Sequence, residues 1–197
     1  MKLGYRYPTG FRQWEVHMKG ITMTVHREKQ QKKSEYQKVE HEFEPVFDEN
    51  SKVLILGTFP SVKSRENQFY YGHPQNRFWK IIALLTDSKV PQTVEEKKKV
   101  LLEHGIAIWD VIASCEIIGS SDSSIRNVVP ADLERILENC EIRNIYANGG
   151  TAKKLYEKYS RAKTGREIIG LPSTSPANAA YSVERLMEYW QIIKNDL

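Results

Sequence analysis

Four short, mainly apolar runs constrain the fold of this chain more than any other feature. They are Val53 to Leu56, Ile106 to Trp109, Ile142 to Tyr146 and Ile168–Ile169. Runs of this length are typical of strands that are buried on both faces. Helical patterns lie between them, and strands that alternate with helices indicate βαβ units. We therefore predict an α/β fold with three layers, α/β/α, around a central four-stranded parallel sheet.

Five helices are predicted from apolar periodicity and from signals at their N-termini. They begin near Asn76, at Thr93, near Pro130, at Thr151 and after Ser182. The second has the pattern of a capping box, in which Thr93 and Glu96 satisfy each other's backbone N–H groups. This spacing of helices between the predicted strands supports parallel strand pairing.

Positive charge is concentrated at the N-terminus. Residues 1–40 hold nine Lys or Arg residues and four Glu residues, a net charge of +5, in a chain whose total is +4. They show neither helical nor strand periodicity. We predict a basic, poorly ordered extension over residues 1–40 and one domain over residues 41–197. Because that domain is nearly neutral, any affinity for nucleic acid must come from local patches.

Composition excludes several classes of protein. The longest uninterrupted apolar run, Ile81 to Leu85, is far too short to cross a membrane, and the N-terminus has no apolar secretory signal. We therefore expect a soluble, intracellular, cytoplasmic protein with no membrane partner. Two cysteines, Cys115 and Cys140, cannot build a disulfide framework, a Cys-rich zinc site or a four-Cys iron–sulfur cluster. We expect two free thiols, no metal and no cofactor.

All four predicted strand exits are rich in Gly, Pro, Ser, Asn or Asp. The exits are Gly57–Ser61, Trp109–Ser114, Asn148–Gly150 and Leu171–Ala179. Ligands of parallel α/β sheets bind beyond the carboxyl ends of the strands, so these loops predict a site at one sheet edge.

Two other enzyme classes do not fit these loops. The first exit continues as G-T-F-P-S-V-K-S, which has valine at the second glycine of a P-loop and is followed by a polar, aromatic stretch instead of a helix. The chain also has no G-x-S-x-G elbow. A nucleotide enzyme and an α/β hydrolase are therefore disfavoured.

Three segments together carry a resemblance to a known family. They read Gly57-Thr-Phe-Pro60, Tyr71-Gly-His-Pro-Gln-Asn-Arg-Phe-Trp79 and Leu171-Pro-Ser-Thr-Ser-Pro-Ala-Asn178. In order and spacing they resemble the uracil-DNA glycosylase superfamily, and the middle segment is similar to its mismatch-specific uracil/thymine branch. With the segment from Trp109 to Cys115, the set resembles the hypoxanthine-DNA (deoxyinosine) glycosylase branch more closely. The resemblance spans roughly residues 50–195.

The resemblance implies a monofunctional DNA repair glycosylase that flips a deaminated base out of DNA and hydrolyses its glycosidic bond, with hypoxanthine as the expected base. Phe59 stands where the uracil branches place a water-positioning Asp or Asn, so the resemblance assigns the catalytic role to Asn76. The residues expected to bind the base are Phe59, Tyr71, Asp110 and Asn148. Those expected to bind the DNA backbone are Ser61, Ser173, Thr174, Ser175, Pro176 and Asn178. The expected partner is DNA containing inosine, and the expected state is a monomer.

Each polar candidate also has a purely structural interpretation. Asn76 could be a helix N-cap, Asp110 a helix or turn cap, and Asn148 a left-handed turn residue before two glycines. Two alternative functions stay open as well. One is a mismatch-specific uracil or broad deaminated-base glycosylase, and the other is a non-catalytic nucleic-acid-binding module of the same fold.

Overall fold

The computed structural model describes the backbone of residues 13–18 and 21–26 and the whole of residues 35–197. The chain separates into two compact units, residues 1–35 and residues 36–197. In the first unit, β1 (Gln13–Met18) pairs antiparallel with β2 (Ile21–His26). The extension predicted to be poorly ordered therefore contains two strands, and its other residues before position 35 lie outside the described part of the chain.

The strands of the second unit form two sheets. They are β3 (Gln37–Glu40), β4 (Val53–Gly57), β5 (Ile106–Asp110), β6 (Ile112–Ile117), β7 (Arg126–Pro130), β8 (Asn144–Asn148) and β9 (Ile169–Leu171). The larger sheet has the order β5-β4-β8-β9 and all of its strand pairs are parallel. The predicted α/β fold with a central four-stranded parallel sheet is confirmed.

The helices are α1 (Val62–Glu66), α2 (Phe78–Leu85), α3 (Val94–Glu103), α4 (Glu134–Leu137), α5 (Gly150–Tyr159), α6 (Arg161–Thr164) and α7 (Val183–Trp190), with 3₁₀ turns at Asp122–Ser124 and Gln191–Asn195. The predicted capping box of α3 is present, and Ser182 caps α7 by accepting from the backbone N–H of Arg185. Two predictions were wrong. The helix expected near Pro130 begins only at Glu134, and a short helix, α1, does follow the exit of β4. In α1 the hydroxyl of Ser61 supplies the missing start signal by accepting from the N–H of Ser64.

The core lies between the parallel sheet and the helices that pack on it. Val53, Leu54, Ile55 and Leu56 are all completely buried. Burying a side chain of this kind stabilises the fold by about 1.5–3 kcal/mol. Helix α2 packs against α7, where the ring of Phe78 lies 6.1 Å from that of Trp190.

The smaller sheet was not predicted. It is antiparallel and has the order β3-β6-β7, with β3 paired to β6 from Gln37 opposite Ile117 to Glu40 opposite Ser114. Residues 37–40, which we assigned to the extension, are therefore part of the second unit. The backbone N–H of His41 donates to Ala113 at 2.8 Å and continues this pairing by one residue.

Both cysteines of the chain are free and buried. Burial raises the pKa of the Cys115 thiol to about 11 and also raises that of Cys140. Within the described residues, no helix combines the length and the apolar character that a membrane span requires.

Candidate active site

A cleft with a volume of about 860 Å³ opens at the carboxyl edge of the parallel sheet. It is bounded by the residues that follow β4, β5, β8 and β9, by the segment before α2 and by the loop after β6. Every residue predicted for the site lines this cleft: Phe59, Ser61, Tyr71, Asn76, Asp110, Asn148, Ser173, Thr174, Ser175, Pro176 and Asn178. The structure brings all of them together, and their individual roles stay predictions.

Asn76 is half-buried in the turn before α2. Its backbone N–H donates to the carbonyl of His73 at 2.9 Å, and its side-chain Oδ1 accepts from the N–H of Phe78 at 3.0 Å. The N-cap of α2 is Arg77, so the N-cap interpretation of Asn76 is wrong by one position, although its oxygen does satisfy the N–H of the first helical residue. This bond does not exclude a catalytic role, because an amide oxygen has a second lone pair with which it can accept a hydrogen bond from water.

Asp110 is the last residue of β5 and is only 5% exposed. Its Oδ2 is 2.9 Å from Nε2 of His41, whose side chain is also buried. The cap interpretation of Asp110 is wrong, since within residues 35–197 its carboxylate accepts from no backbone N–H. A Cβ added to Gly57 would overlap Oδ1 of Asp110, so the second oxygen lies against the glycine at the end of β4.

His41 was missed by the sequence analysis. It follows β3 and lies among four aromatic rings, whose centroids are 4.6 Å (Phe43), 5.9 Å (Tyr70), 6.2 Å (Phe59) and 6.4 Å (Trp109) from its own. Its Nδ1 is buried and has no hydrogen-bond partner in the described residues. A single histidine between a basic segment and an aromatic one carries no motif, so only the β3–β6 pairing reveals its position.

Tyr71 is stacked on Phe78, with the ring centroids 3.7 Å apart and the planes at 20°. One face of its ring is therefore covered, and only the other face or the edge is available to a flipped base. Burial raises the pKa of Tyr71, and the charge of Asp110 raises it further. The phenol is therefore neutral in the physiological range. Its backbone has a φ of +52°, which turns the chain sharply before Gly72.

Asn148, at the end of β8, holds the loop that follows β9. Its Nδ2 donates to Oγ1 of Thr174, and its Oδ1 accepts from the N–H of Thr174, both at 2.9 Å. Thr174 is completely buried, so its hydroxyl is committed to this pair. The left-handed interpretation of Asn148 is wrong, because the positive φ, +108°, belongs to Gly149.

Arg77 lies in the segment from Tyr71 to Trp79, and the sequence predicted no functional role for it. Its Nε donates to the carbonyl of Thr174 at 3.1 Å, and its Nη2 donates to that of Asn178 at 3.1 Å. The guanidinium also donates to the carbonyls of Ser175 and Tyr181. One side chain thus holds the main chain of residues 174–181, the segment predicted to contact DNA.

The loop after β6 forms the opposite wall of the cleft. The hydroxyl of Ser120 accepts from the N–H of Val62 at 2.8 Å and ties this loop to the start of α1. Burial raises the pKa of Asp122, a hydrogen bond from Thr58 opposes the shift, and the charge of Asp110 adds to it. The cleft therefore contains two carboxyl groups, Asp110 and Asp122, together with amides and hydroxyls. No group of three His, Cys, Asp or Glu residues within the described chain is arranged to hold a metal ion.

Comparison with known proteins agrees with this architecture. Residues 44–195 match the model of the Uracil DNA glycosylase superfamily. The match covers more than half of the chain, and the chain therefore belongs to that superfamily.

Two curated relatives from archaea have the same name. A protein named Hypoxanthine DNA glycosylase from Methanosarcina acetivorans is 36% identical over 155 residues, which cover 78% of this chain and 97% of the relative. A second protein of that name, from Methanosarcina barkeri, is 29% identical over 137 residues, covering 69% and 86%. The chain is thus similar to two proteins whose names specify hypoxanthine.

One solved structure is also similar. It is a solution NMR structure from Methanosarcina acetivorans, described provisionally as a uracil DNA glycosylase. It superposes with a TM-score of 0.67 at 35% identity and covers 77% of this chain and 94% of its own.

Proposed function

We propose that this protein is a monofunctional DNA glycosylase that removes hypoxanthine from deoxyinosine and leaves an abasic site. Its substrate would be inosine-containing DNA, on which we propose it acts as a monomer. The observation that carries the proposal is the cleft itself. An apolar Phe59 occupies the place where the uracil branches have a water-positioning residue, while Asn76 lines the same space. The relatives named Hypoxanthine DNA glycosylase support the choice of base.

The reaction must first bring the base into the cleft. Enzymes that act on a base in a duplex rotate the nucleotide out of the stack. We propose that the loop from Ser173 to Asn178 contacts the backbone beside the lesion and that Ser61 contacts it from the other side of the cleft. Phe59 and the free face of Tyr71 would then contact the flipped purine. Such backbone contacts position the DNA without reading its sequence.

Hydrolysis then breaks the bond between C1′ and the base. Water supplies the hydroxyl group on C1′ and the proton that the leaving base gains. We propose that Asn76 Oδ1 orients this water. A neutral amide cannot take the proton completely. Most of the rate enhancement must therefore come from protein groups that donate hydrogen bonds to the departing base, and one such donor contributes roughly 3 kcal/mol. Asp110 and Asn148 are the proposed contacts to the purine edge.

A mismatch-specific uracil or broad deaminated-base glycosylase is the second candidate. It is favoured by the similar solved structure, which is described provisionally as a uracil DNA glycosylase. The buried phenyl ring of Phe59 argues against it, because that ring cannot orient water or stabilise a sugar cation. A non-catalytic module of the same fold would bind damaged DNA without releasing a base.

The test is incubation with duplexes that carry inosine, uracil, xanthine or ethenoadenine, followed by alkali to cleave abasic sites. We expect inosine to be cut well and uracil poorly, with activity retained in EDTA. Faster cleavage of uracil opposite guanine would support the second candidate. Binding without release of any base would support the non-catalytic module, and loss of activity in EDTA that one metal restores would contradict the metal-free mechanism.

A further inference from the structure

Asp110 is a proposed contact to the purine edge, and it forms a buried pair with His41, a residue that has no role in the mechanism proposed above. The imidazole Nε2 lies 2.9 Å from Oδ2 of Asp110, and the two side chains are only 4% and 7% exposed. A hydrogen bond between buried, charged or polar groups fixes the orientation of both partners strongly. The carboxylate of Asp110 is therefore held in one orientation at the floor of the cleft.

His41 reaches this position through the smaller sheet. Strand β3 pairs with β6, and the backbone N–H of His41 donates to the carbonyl of Ala113, three residues after Asp110. The superfamily match begins at residue 44, so the histidine lies before the segment that defines the family. The pair therefore joins a residue outside the matched segment to one inside it.

The two carboxylate oxygens have different surroundings. Oδ2 accepts from His41, whereas Oδ1 lies against Gly57 and accepts no hydrogen bond from residues 35–197. Both Asp110 and Gly57 line the cleft. A ligand in the cleft thus meets a carboxylate in which Oδ2 already accepts one hydrogen bond and Oδ1 accepts none from the described residues.

This asymmetry matches one purine better than another. The Watson–Crick edge of hypoxanthine has a single N–H donor, at N1, beside an acceptor at O6. Guanine has two adjacent donors, N1–H and the N2 amino group, which a carboxylate with both oxygens free would pair with in a bidentate manner. Oδ2 keeps a second lone pair, but an oxygen that already accepts from His41 is a weaker acceptor, so the N2 amino group would be buried with a poorer partner than N1–H, which is unfavourable.

We propose that His41 is a positioning and specificity-determining residue, which occupies Oδ2 of Asp110 so that Oδ1 alone accepts N1–H of hypoxanthine. This inference rests on the proposed function and adds to it the reason why guanine, the normal base with the same O6, is rejected. His41 acts through Asp110 and does not itself contact the base.

The first test is a double-mutant cycle on single-turnover cleavage of inosine DNA. His41→Phe keeps a ring among the four aromatic neighbours but removes the donor, whereas His41→Gln keeps a nitrogen donor near the position of Nε2. We expect a loss of roughly 10-fold or more for His41→Phe, within the range for a lost charge-assisted hydrogen bond, and a loss of a few-fold for His41→Gln. In the Asp110→Ala background, His41→Phe should have no further effect.

Thermal unfolding of each variant separates this result from misfolding, since every rate is taken on protein shown to be folded at the assay temperature. An equal loss for His41→Phe in both backgrounds would overturn the proposal, as would wild-type cleavage by folded His41→Phe. If the parent protein releases no base from inosine DNA, the proposed function fails instead, and the two failures are distinguishable.

The second test measures base preference. In the Asn76→Ala background, which should bind without cleaving, affinities are compared for duplexes with an I·T or a G·T pair in the same sequence. Both pairs have wobble geometry, so the cost of flipping is matched. We expect His41→Phe to reduce the preference for I·T by several-fold. An unchanged preference would contradict the specificity role.

Discussion

The carboxylate of Asp110 lies so close to Gly57 that a methyl group on this glycine would overlap Oδ1 and approach the hydroxyl of Tyr71 to 3.3 Å. Glycine is required here by the neighbouring side chain and not by the backbone, because residue 57 ends a regular strand. Three residues from different segments therefore share one contact point at the floor of the cleft.

Gly57→Ala should displace Asp110 and lower single-turnover cleavage of inosine DNA by about 10-fold or more, the scale of a positioned catalytic contact. Gly150→Ala is the matched control, because a Cβ at Gly150 meets nothing within 4 Å and this residue begins α5. The control should keep the parent rate and raise stability by up to about 1 kcal/mol. Equal rates for both variants would show that the position of Asp110 does not matter.

Asn76→Ala should lower the single-turnover rate on inosine DNA by roughly 10²-fold or more, the scale of one catalytic group, and should change DNA binding little. The same change removes the oxygen that accepts from Phe78, and we expect a loss of about 1 kcal/mol in the free energy of unfolding.

Asn76→Ser separates the two effects, because a serine hydroxyl can still accept from the N–H of Phe78 but does not reach as far as the amide. A catalytic Asn76 requires the serine variant to be nearly as inactive as the alanine variant while unfolding at the parent temperature. Near-normal cleavage by Asn76→Ser would assign the water to another residue, with Asp110 the next candidate.

Arg77→Met should loosen the segment from Thr174 to Tyr181, because it leaves four backbone carbonyls without their guanidinium donor. The carbonyls of Thr174, Ser175 and Asn178 also accept from backbone N–H groups, so within the described residues only the carbonyl of Tyr181 loses its one donor. An unpaired carbonyl costs about 1–3 kcal/mol unless water reaches it. We expect weaker binding of lesion DNA and faster proteolysis within this segment. Arg143→Met, which removes one bond to the carbonyl of Asp196, is the control and should leave DNA binding unchanged.

Deletion of residues 1–35 should weaken DNA binding at low salt and flatten its salt dependence, because this segment carries eight of the basic residues and a net charge of +5. Single-turnover cleavage of bound substrate should hardly change. Deletion of residues 1–41 removes β3 and His41 as well, and this longer deletion should also reduce the rate. If the shorter deletion alone abolished cleavage by folded protein, the extension would be part of the site.

The parallel sheet was predictable because β4 and β5 are fully buried and β8 nearly so, and full burial gives continuous apolar runs. The smaller sheet was not, since β7 is mostly exposed and β6 alternates imperfectly, with register shifts at Ser114. Without that sheet, the sequence could not place residues 37–41 in the second unit.

The site was predictable to the extent that its residues stand at strand exits. Phe59, Asp110 and Asn148 follow directly from this rule, and the cleft contains them all. The roles of Arg77 and His41 were not predictable, because their contacts join segments that are distant in sequence. Arg77 bonds to main-chain carbonyls, which leave no trace in the sequence at all.

The contacts of Arg77 also determine which substitutions the loop from Thr174 to Tyr181 can tolerate. Carbonyl oxygens are present whatever the side chain, so a substitution between residues 174 and 181 does not by itself remove an acceptor from the guanidinium. Substitutions at the positions that we predict to contact DNA can therefore change which lesions or sequence contexts are bound, while Arg77 keeps its contacts with the loop. The path of the loop depends instead on Arg77 itself and on the pair of Asn148 and Thr174, so substitutions at these positions are the damaging ones.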